Sequence, residues 1–485
     1  MAGLRLTTKV QVSGWRFLLR RLEHALVRRD TRMYDDPLHF YNRSAGLGIV
    51  IAVVILGGAA MLAYVKPEGD IGGTSLIADR TTNQLYVILS GRVHPVYNLT
   101  SARLALGNPA SPSAVDPAQL RNIFNSMSRG QPIGIPGAPY ATPVSKGDVS
   151  VWTVCDTVAD ANSDVPTLQT VVTAMPLQID PTLKSMQPNE ALLASYRDQA
   201  WVVTSDGRHA FDITDRALTL AVGIPMTAKP IPLSEAMYNA LPDVGSWQLP
   251  PVPGAGAHNS LGLPDDLVVG SVFQTYAESA PQLFVVLADG VAQVNAPTAD
   301  ALRAMESDGL VTPPLVEPSL VVRIPERIYA SPLPDEPIKI SNRPDEPFLC
   351  WSWQRGTGDK SPKKTVLSGR HLPLQPTQMN GGVNQIRGGA TVFIDAGKFV
   401  SLQSPDPRYG ELMYYIDADG VRYGVQDTDS ARALGMGSPD AAPWEIIRLL
   451  VDGPVLSKDA ALLEHETLPA DPSPRRLPVR SPGTS

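Results

Sequence analysis

The chain is poor in the residues and motifs that carry chemistry. It has two cysteines in 485 residues, Cys155 and Cys350, too few for a structural zinc site of four thiolates. No GxxxxGK[ST] phosphate loop is present, and no GxGxxG follows a strand-like run. The pair Gly397-Lys398 is followed by Phe399, and the Gly- and Lys-rich stretch 355–364 lacks the spacing and reads as an exposed loop. There is no GxSxG elbow and no HExxH. His465-Glu466 starts such a motif, but Pro469 ends it. Asp417-Ala418-Asp419-Gly420 resembles the start of a calcium loop without its closing glutamate, and a hairpin turn accounts for it. The residues themselves nominate no catalytic, cofactor or metal site.

Long hydrophobic runs are scarce too. A single one exists, Ser44–Val65, which is free of charge and bounded by Arg43 and Lys66. At ~1.5 Å per residue a helix of that length crosses a bilayer core. It starts too far from the N-terminus and runs too long for an ordinary signal peptide, although Gly57–Ala60 offers small residues at which one could be cleaved. The expectation is a retained span.

Charge divides at this run. Residues 1–43 hold nine Lys/Arg against four acids, net +5, so the remainder of this −7 chain carries −12. The positive-inside rule places 1–43 in the cytoplasm and 66–485 outside it. The acidity of that large part argues against nucleic-acid binding. Residues 13–33 show an apolar helical stripe through Trp15, Leu18, Leu19, Leu22 and Leu26, with Phe17 beside it and Arg16, Arg20, Arg28 and Arg29 interspersed. The pattern predicts a basic amphipathic helix, capped by Ser13, on the inner leaflet or against a partner.

What is abundant is punctuation: 46 Pro and 39 Gly with 43% apolar residues, which predicts a globular chain of short strands and turns. A pattern recurs at 85–107, 200–223, 283–305 and 413–437. Each copy has an apolar strand, a turn on Gly91, Gly207, Gly290 or Gly420, a second strand, and a short Leu/Ala-rich helix. Thr100, Thr214, Thr298 and Thr428 stand where helix caps belong. His94 and His209 fall at nearly matching places, which points to a shared structural role. The copies are unevenly spaced, so other strands must form a shared centre; 150–158, 168–177, 267–276, 320–328, 364–367 and 390–402 are the candidates. Proline-rich joints at 131–143, 224–233, 248–258, 312–318 and 331–337 read as connectors. Beyond them lie an element at 444–451, a helix after Ser457, and a proline-rich tail, 469–485. The fold class is α+β, rich in strands, with four β-turn-β-α repeats around a β core. Both cysteines lie beyond the span, which points to one disulfide; the alternative is two buried thiols.

These residues carry a resemblance. The N-terminal stretch LRLTTKVQVSGWRFLLRRLEHALVRRDTRM before a single span, together with SLIADRTTNQLYVILSGRVHPVYNLTSARLALGNP, GIPGAPYATPVS, both cysteine segments and LLVDGPVLSKDAALLEHETLPADPSP, resembles the EccB family. This is core membrane component B of the ESX (type VII) secretion system of mycobacteria, and the sequence is most similar to the ESX-one branch. The resemblance implies a structural subunit that joins components C, D and E in an inner-membrane complex and associates with copies of itself in the periplasm. A membrane-bound subtilisin-like protease can dock there. It implies that Cys155 and Cys350 form the family's disulfide and that the N-terminal helix meets cytoplasmic partners. Two alternatives stand beside the scaffold role: an ATPase using ATP with Mg, for which no phosphate loop is visible, and a cell-wall-binding anchor.

Overall fold

A computed structural model describes residues 9–30, 37–65, 73–159, 167–277, 280–305, 310, 312–341, 346–375, 383–384, 391–403 and 412–466. The tail 469–485 and the linker 66–72 lie outside the described residues.

Two helices lead. Lys9–Arg28 begins before Ser13, so Ser13 lies inside the helix and is not its cap. The second helix, Pro37–Val65, starts at a proline, whose missing N–H costs nothing in a first turn. Its stretch Arg43–Leu62 is, among the described residues, the helix long and apolar enough to cross a membrane, and none of it is buried by the rest of the chain.

The remaining chain builds four repeats and a central sheet. Each repeat opens with a three-stranded antiparallel meander. In repeat 1 (76–129) the strands are Leu76–Asp79, Leu85–Leu89 and Arg92–Val96, and in repeat 2 (190–246) they are Glu190–Tyr196, Gln199–Val203 and Arg208–Phe211. Repeat 3 (272–327) uses Val272–Ala277, Ala280–Leu287 and Gly290–Val294, and repeat 4 (398–452) uses Lys398–Gln403, Met413–Ile416 and Val421–Val425. A first helix follows each meander: Leu99–Leu106, Arg216–Ala221, Ala296–Met305 and Thr428–Ala433.

The repeat does not stop there, as the sequence pattern implied. A strand returns parallel to the first meander strand, a second helix crosses the opposite face, and a last strand runs parallel to the third meander strand. In repeat 2 these are Ile231–Pro232, Glu235–Ala240 and Asp243–Ser246. In repeat 4 they are Asp440–Pro443, Trp444–Ile447 and Val451–Asp452. Repeat 1 has Ser113–Val115, Pro117–Ser126 and Ser128–Arg129. Repeat 3 reduces both parallel strands to single bridges, Gln274–Leu315 and Val291–Glu326, around the helix Pro318–Val321. The strand expected over 320–328 is therefore a short helix and a turn, because Pro318 is favourable at a helix start.

Each meander buries both faces, so its strands alternate between two apolar cores. In repeat 1, Leu76, Leu85 and Val87 face the first helix and Ile77, Val93 and Val115 the second. The caps are also corrected. Asn98, Asp215, Asn295 and Asp427 accept backbone N–H groups of the four first helices, at 2.7–3.0 Å. The four threonines flank these caps. A short side chain with an sp² oxygen reaches the third amide of a helix well.

The central sheet has seven strands in the order Val383–Asn384, Thr391–Phe393, Thr167–Thr173, Val149–Ala159, Phe348–Gly356, Lys363–Gly369, Leu183–Ser185. The run expected over 390–402 is split between this sheet and repeat 4, with the turn at Gly397 between them. Repeats 2 and 4 share one core with this sheet, around Trp152, Trp351 and Trp353. Repeat 1 packs on repeat 4 through a second common core. Repeat 2 meets repeat 3 helix to helix, Arg216–Ala221 on Ala296–Met305.

Candidate functional site

The two cysteines face each other across the middle of the central sheet. Cys155 pairs directly with Cys350 in the antiparallel ladder, and the sulfurs are bonded at 2.06 Å with both side chains fully buried. The bond joins positions 195 residues apart. Three registers along, Trp152 pairs with Trp353, and both rings are almost fully buried. Beta-branched and aromatic residues dominate these two strands, as a sheet covered on its faces requires.

The four turn glycines do two different jobs. At Gly207 and Gly290 a Cβ would stand 2.4 and 2.3 Å from the carbonyl oxygens of Pro242 and Pro325. Those prolines immediately precede the last strand of their repeats, so the glycines let that strand close on the meander. Gly91 has open space around it and a φ of +75°, so its role is the left-handed turn alone. Gly420 combines a φ of +80° with Val392 of the central sheet about 3 Å away. Beside it Asp417 accepts from the Val421 amide at 2.9 Å and the Tyr423 hydroxyl at 3.1 Å. Burial pushes the Asp417 carboxyl up, and burial with that neighbouring charge pushes the Tyr423 phenol up.

His94 and His209 are both buried on third meander strands, opposite Val87 and Val202. His94 Nδ1 lies 3.0 Å from the Gln131 carbonyl, 37 residues on, and His209 Nε2 3.1 Å from the Thr204 hydroxyl, so His94 holds the segment after the last strand of its repeat and His209 its own hairpin turn. Among the described residues no group of three or more His, Cys, Asp or Glu side chains is placed to hold a metal ion.

Sequence reading missed one device. In repeats 2 and 4 an arginine follows the hairpin turn and lies under the second helix. Arg208 sits over Tyr238 (4.1 Å) and Trp201 (5.4 Å) and pairs with Asp243 at 3.2 Å. Arg422 sits over Trp444 (5.0 Å) and Tyr414 (5.6 Å) and pairs with Asp452 at 2.7 Å. Each aspartate comes from the last parallel strand of its own repeat. The readable signal was an arginine after the turn, an aromatic residue in the preceding strand, and an aspartate some thirty residues on.

The residues expected at a membrane or partner surface lie on one helix. Trp15, Leu18, Leu19, Leu22 and Leu26 are half or more exposed along Lys9–Arg28, so its apolar stripe is uncovered in the single chain; Phe17, Arg16 and Arg20 stand on the same helix.

Comparison with known proteins places this architecture. A family model described as the type VII secretion system ESX-1 transport TM domain B matches residues 4–470. The chain is 67% identical over 481 residues to a Mycobacterium tuberculosis protein named ESX-1 secretion system ATPase EccB1, covering 99% of each. It is 58% identical over 479 residues to the Mycolicibacterium smegmatis protein of the same name, covering 98% of this chain and 99% of that one. Among solved structures it resembles a chain of an intact ESX-5 inner membrane complex, with a TM-score of 0.76, 32% identity and 99% of each chain covered. It also resembles an EccB3 dimer from the ESX-3 core complex, with a TM-score of 0.73, 30% identity, and 80% of this chain and all of that one covered. The span, the stapled sheet and the four repeats thus belong together, and the chain is a member of the EccB family of type VII secretion, on its ESX-1 branch.

Proposed function

We propose that this chain is the single-span structural subunit of an ESX inner-membrane secretion complex, with residues 9–28 cytoplasmic and the repeat domain periplasmic. The observation that carries the reading is the full-length likeness to a chain of an intact ESX-5 inner membrane complex. Likeness to an EccB3 dimer supports association with further copies of itself. The Lys/Arg excess before the span supports this orientation by the positive-inside rule. In this reading the exposed stripe of Trp15, Leu18 and Leu22 meets cytoplasmic parts of components C, D and E or the inner leaflet. The periplasmic repeats carry the self-association and any docking of the membrane-bound protease. ATP turnover belongs to component C, although the relatives are themselves named ATPases.

The test is affinity purification of the full chain from membranes, as wild type and as Leu18→Glu/Leu22→Glu. Components C, D and E should co-purify with the wild type, be depleted severalfold by the double substitution, and account for all hydrolysis in the eluate. Undiminished recovery of every partner by the double variant would sink the role given to the helix. Hydrolysis by this chain freed of component C would make it an enzyme.

A further inference from the structure

The two buried arginines are copies of one device, yet they end differently. Arg208 Nη1 donates to the carbonyls of Tyr238, at 2.7 Å, and Leu241, so the second helix of repeat 2 absorbs it. Arg422 finds no such acceptors. Its Nη2 is taken by Asp452, while Nη1 and Nε are buried without a hydrogen-bond partner among the described residues. Nε is unpaired in both arginines, so Nη1 is what distinguishes them. Arg422 is only 8% exposed, and burying a charged donor unpaired is costly.

It is also Arg422, not Arg208, that borders a cavity of about 620 Å³ between repeats 2 and 4, above the central-sheet strand that holds Thr170 and Val172. That volume lies in the range of small-molecule sites. Two exposed arginines, Arg197 and Arg448, join Arg422 in its lining. Arg197 holds the tip of the first hairpin of repeat 2, beside Tyr196, whose ring stacks on Tyr238 at 4.0 Å. Of the two acids in the lining, Asp452 is already committed to Arg422, which leaves Glu235. With that pair balanced, Arg197 and Arg448 against Glu235 leave one net positive charge on the wall, with planar donors of the geometry that suits a carboxylate or phosphate.

We propose that the cavity between repeats 2 and 4 binds a small molecule through its oxyanion group, carboxylate or phosphate, on Arg422 and Arg448. The orphaned Nη1 lies beneath the cavity surface, so the ligand would rest on the exposed Arg448 and on the part of Arg422 that lines the wall. It would also bridge two repeats beside the place where their second helices pack on each other.

The experiment is calorimetric titration of the full chain in detergent micelles, at constant ionic strength, with inorganic phosphate and separately with succinate. Saturable binding of at least one is expected; phosphate alone assigns a phosphoryl ligand, succinate alone a carboxylate, and both the shared oxyanion chemistry. Arg448→Gln, a surface change, should weaken binding tenfold or more, while Arg121→Gln on repeat 1 leaves it unchanged. Arg422→Lys keeps the charge but loses the planar donors, and should weaken binding as well; should it fail to fold, Arg448→Gln decides. Absence of saturation by either anion, or equal effects of Arg448→Gln and Arg121→Gln, overturns the proposal.

Discussion

Repeats 1 and 3 place a buried valine on the meander strand under their second helix, whereas repeats 2 and 4 place an arginine there. Val93 sits with Ile77, Leu120 and Ile123, and Val291 with Phe273, Val321 and Ile324. Arg208 and Arg422 take the corresponding side of their meanders, each between aromatic rings. The difference follows the neighbours. The second helices of repeats 2 and 4 pack on each other and on the central sheet, within the core of Trp152 and Trp353. Those of repeats 1 and 3 close separate cores. One repeated sequence pattern therefore holds two kinds of energetics. Under their second helices the outer repeats rest on burial within themselves, and the inner ones rest on a shared core plus a positioned cation that ties the last strand to the meander.

That contrast can be broken at several strengths. The largest effect is expected at the shared core. Trp353→Ala should cost about 3–5 kcal/mol in urea unfolding, and hydrogen exchange should rise in repeats 2 and 4 together. Its counterpart, Ile123→Val in repeat 1, should raise exchange in that repeat alone. Next comes the staple. Replacing both Cys155 and Cys350 by alanine should cost ~2–4 kcal/mol, read from the same denaturation curves, because the open chain regains the freedom of a long loop. Third, Arg208→Met should destabilise by about 1–3 kcal/mol, since the Tyr238 and Leu241 carbonyls lose their donor. Arg422→Met should cost less, because no carbonyl depends on it; equal melting shifts would show that the two arginines are held alike.

The smallest effect is at a cap. Asp427→Ala should cost ~1 kcal/mol near neutral pH. The Ser430 amide, 2.7 Å from the Asp427 carboxylate, holds that group below its ordinary value of 3.8. A carboxyl depressed by folding stabilises above its unfolded value and ceases to do so as pH falls through the folded one. The difference between wild type and variant should therefore be constant at pH 5–7 and shrink below about 3.8. A difference that widened on acidification would contradict the cap.

The legible parts of the fold were those with local signals. The apolar run, the four hairpin turns, the first helices and both cysteine strands stand out because alternation and turn residues are contiguous in sequence. The second half of each repeat was not legible. Ile231–Pro232 and the Leu315 bridge lie inside stretches that read as proline-rich connectors, and two-residue parallel pairs offer no period to detect. The first meander strands of repeats 1 and 2 were hidden likewise, while those of repeats 3 and 4 read as strands within 267–276 and 390–402, but of the shared centre. At the candidate site, an arginine after a turn looks solvent-exposed until the second helix is known to cover it. The cysteines were legible as a pair, but only the ladder showed that they stand opposite each other.

The stapled ladder has a mechanical consequence. The strands Val149–Ala159 and Phe348–Gly356 are the exit and return of one long excursion that contains repeats 2 and 3. The bond at Cys155–Cys350 closes that excursion at its neck. A pull applied between the membrane helix and the far end of the chain is thus carried across a covalent shortcut. Residues 156–349 lie off the covalent load path, and tension is borne by the two stapled strands and by repeats 1 and 4.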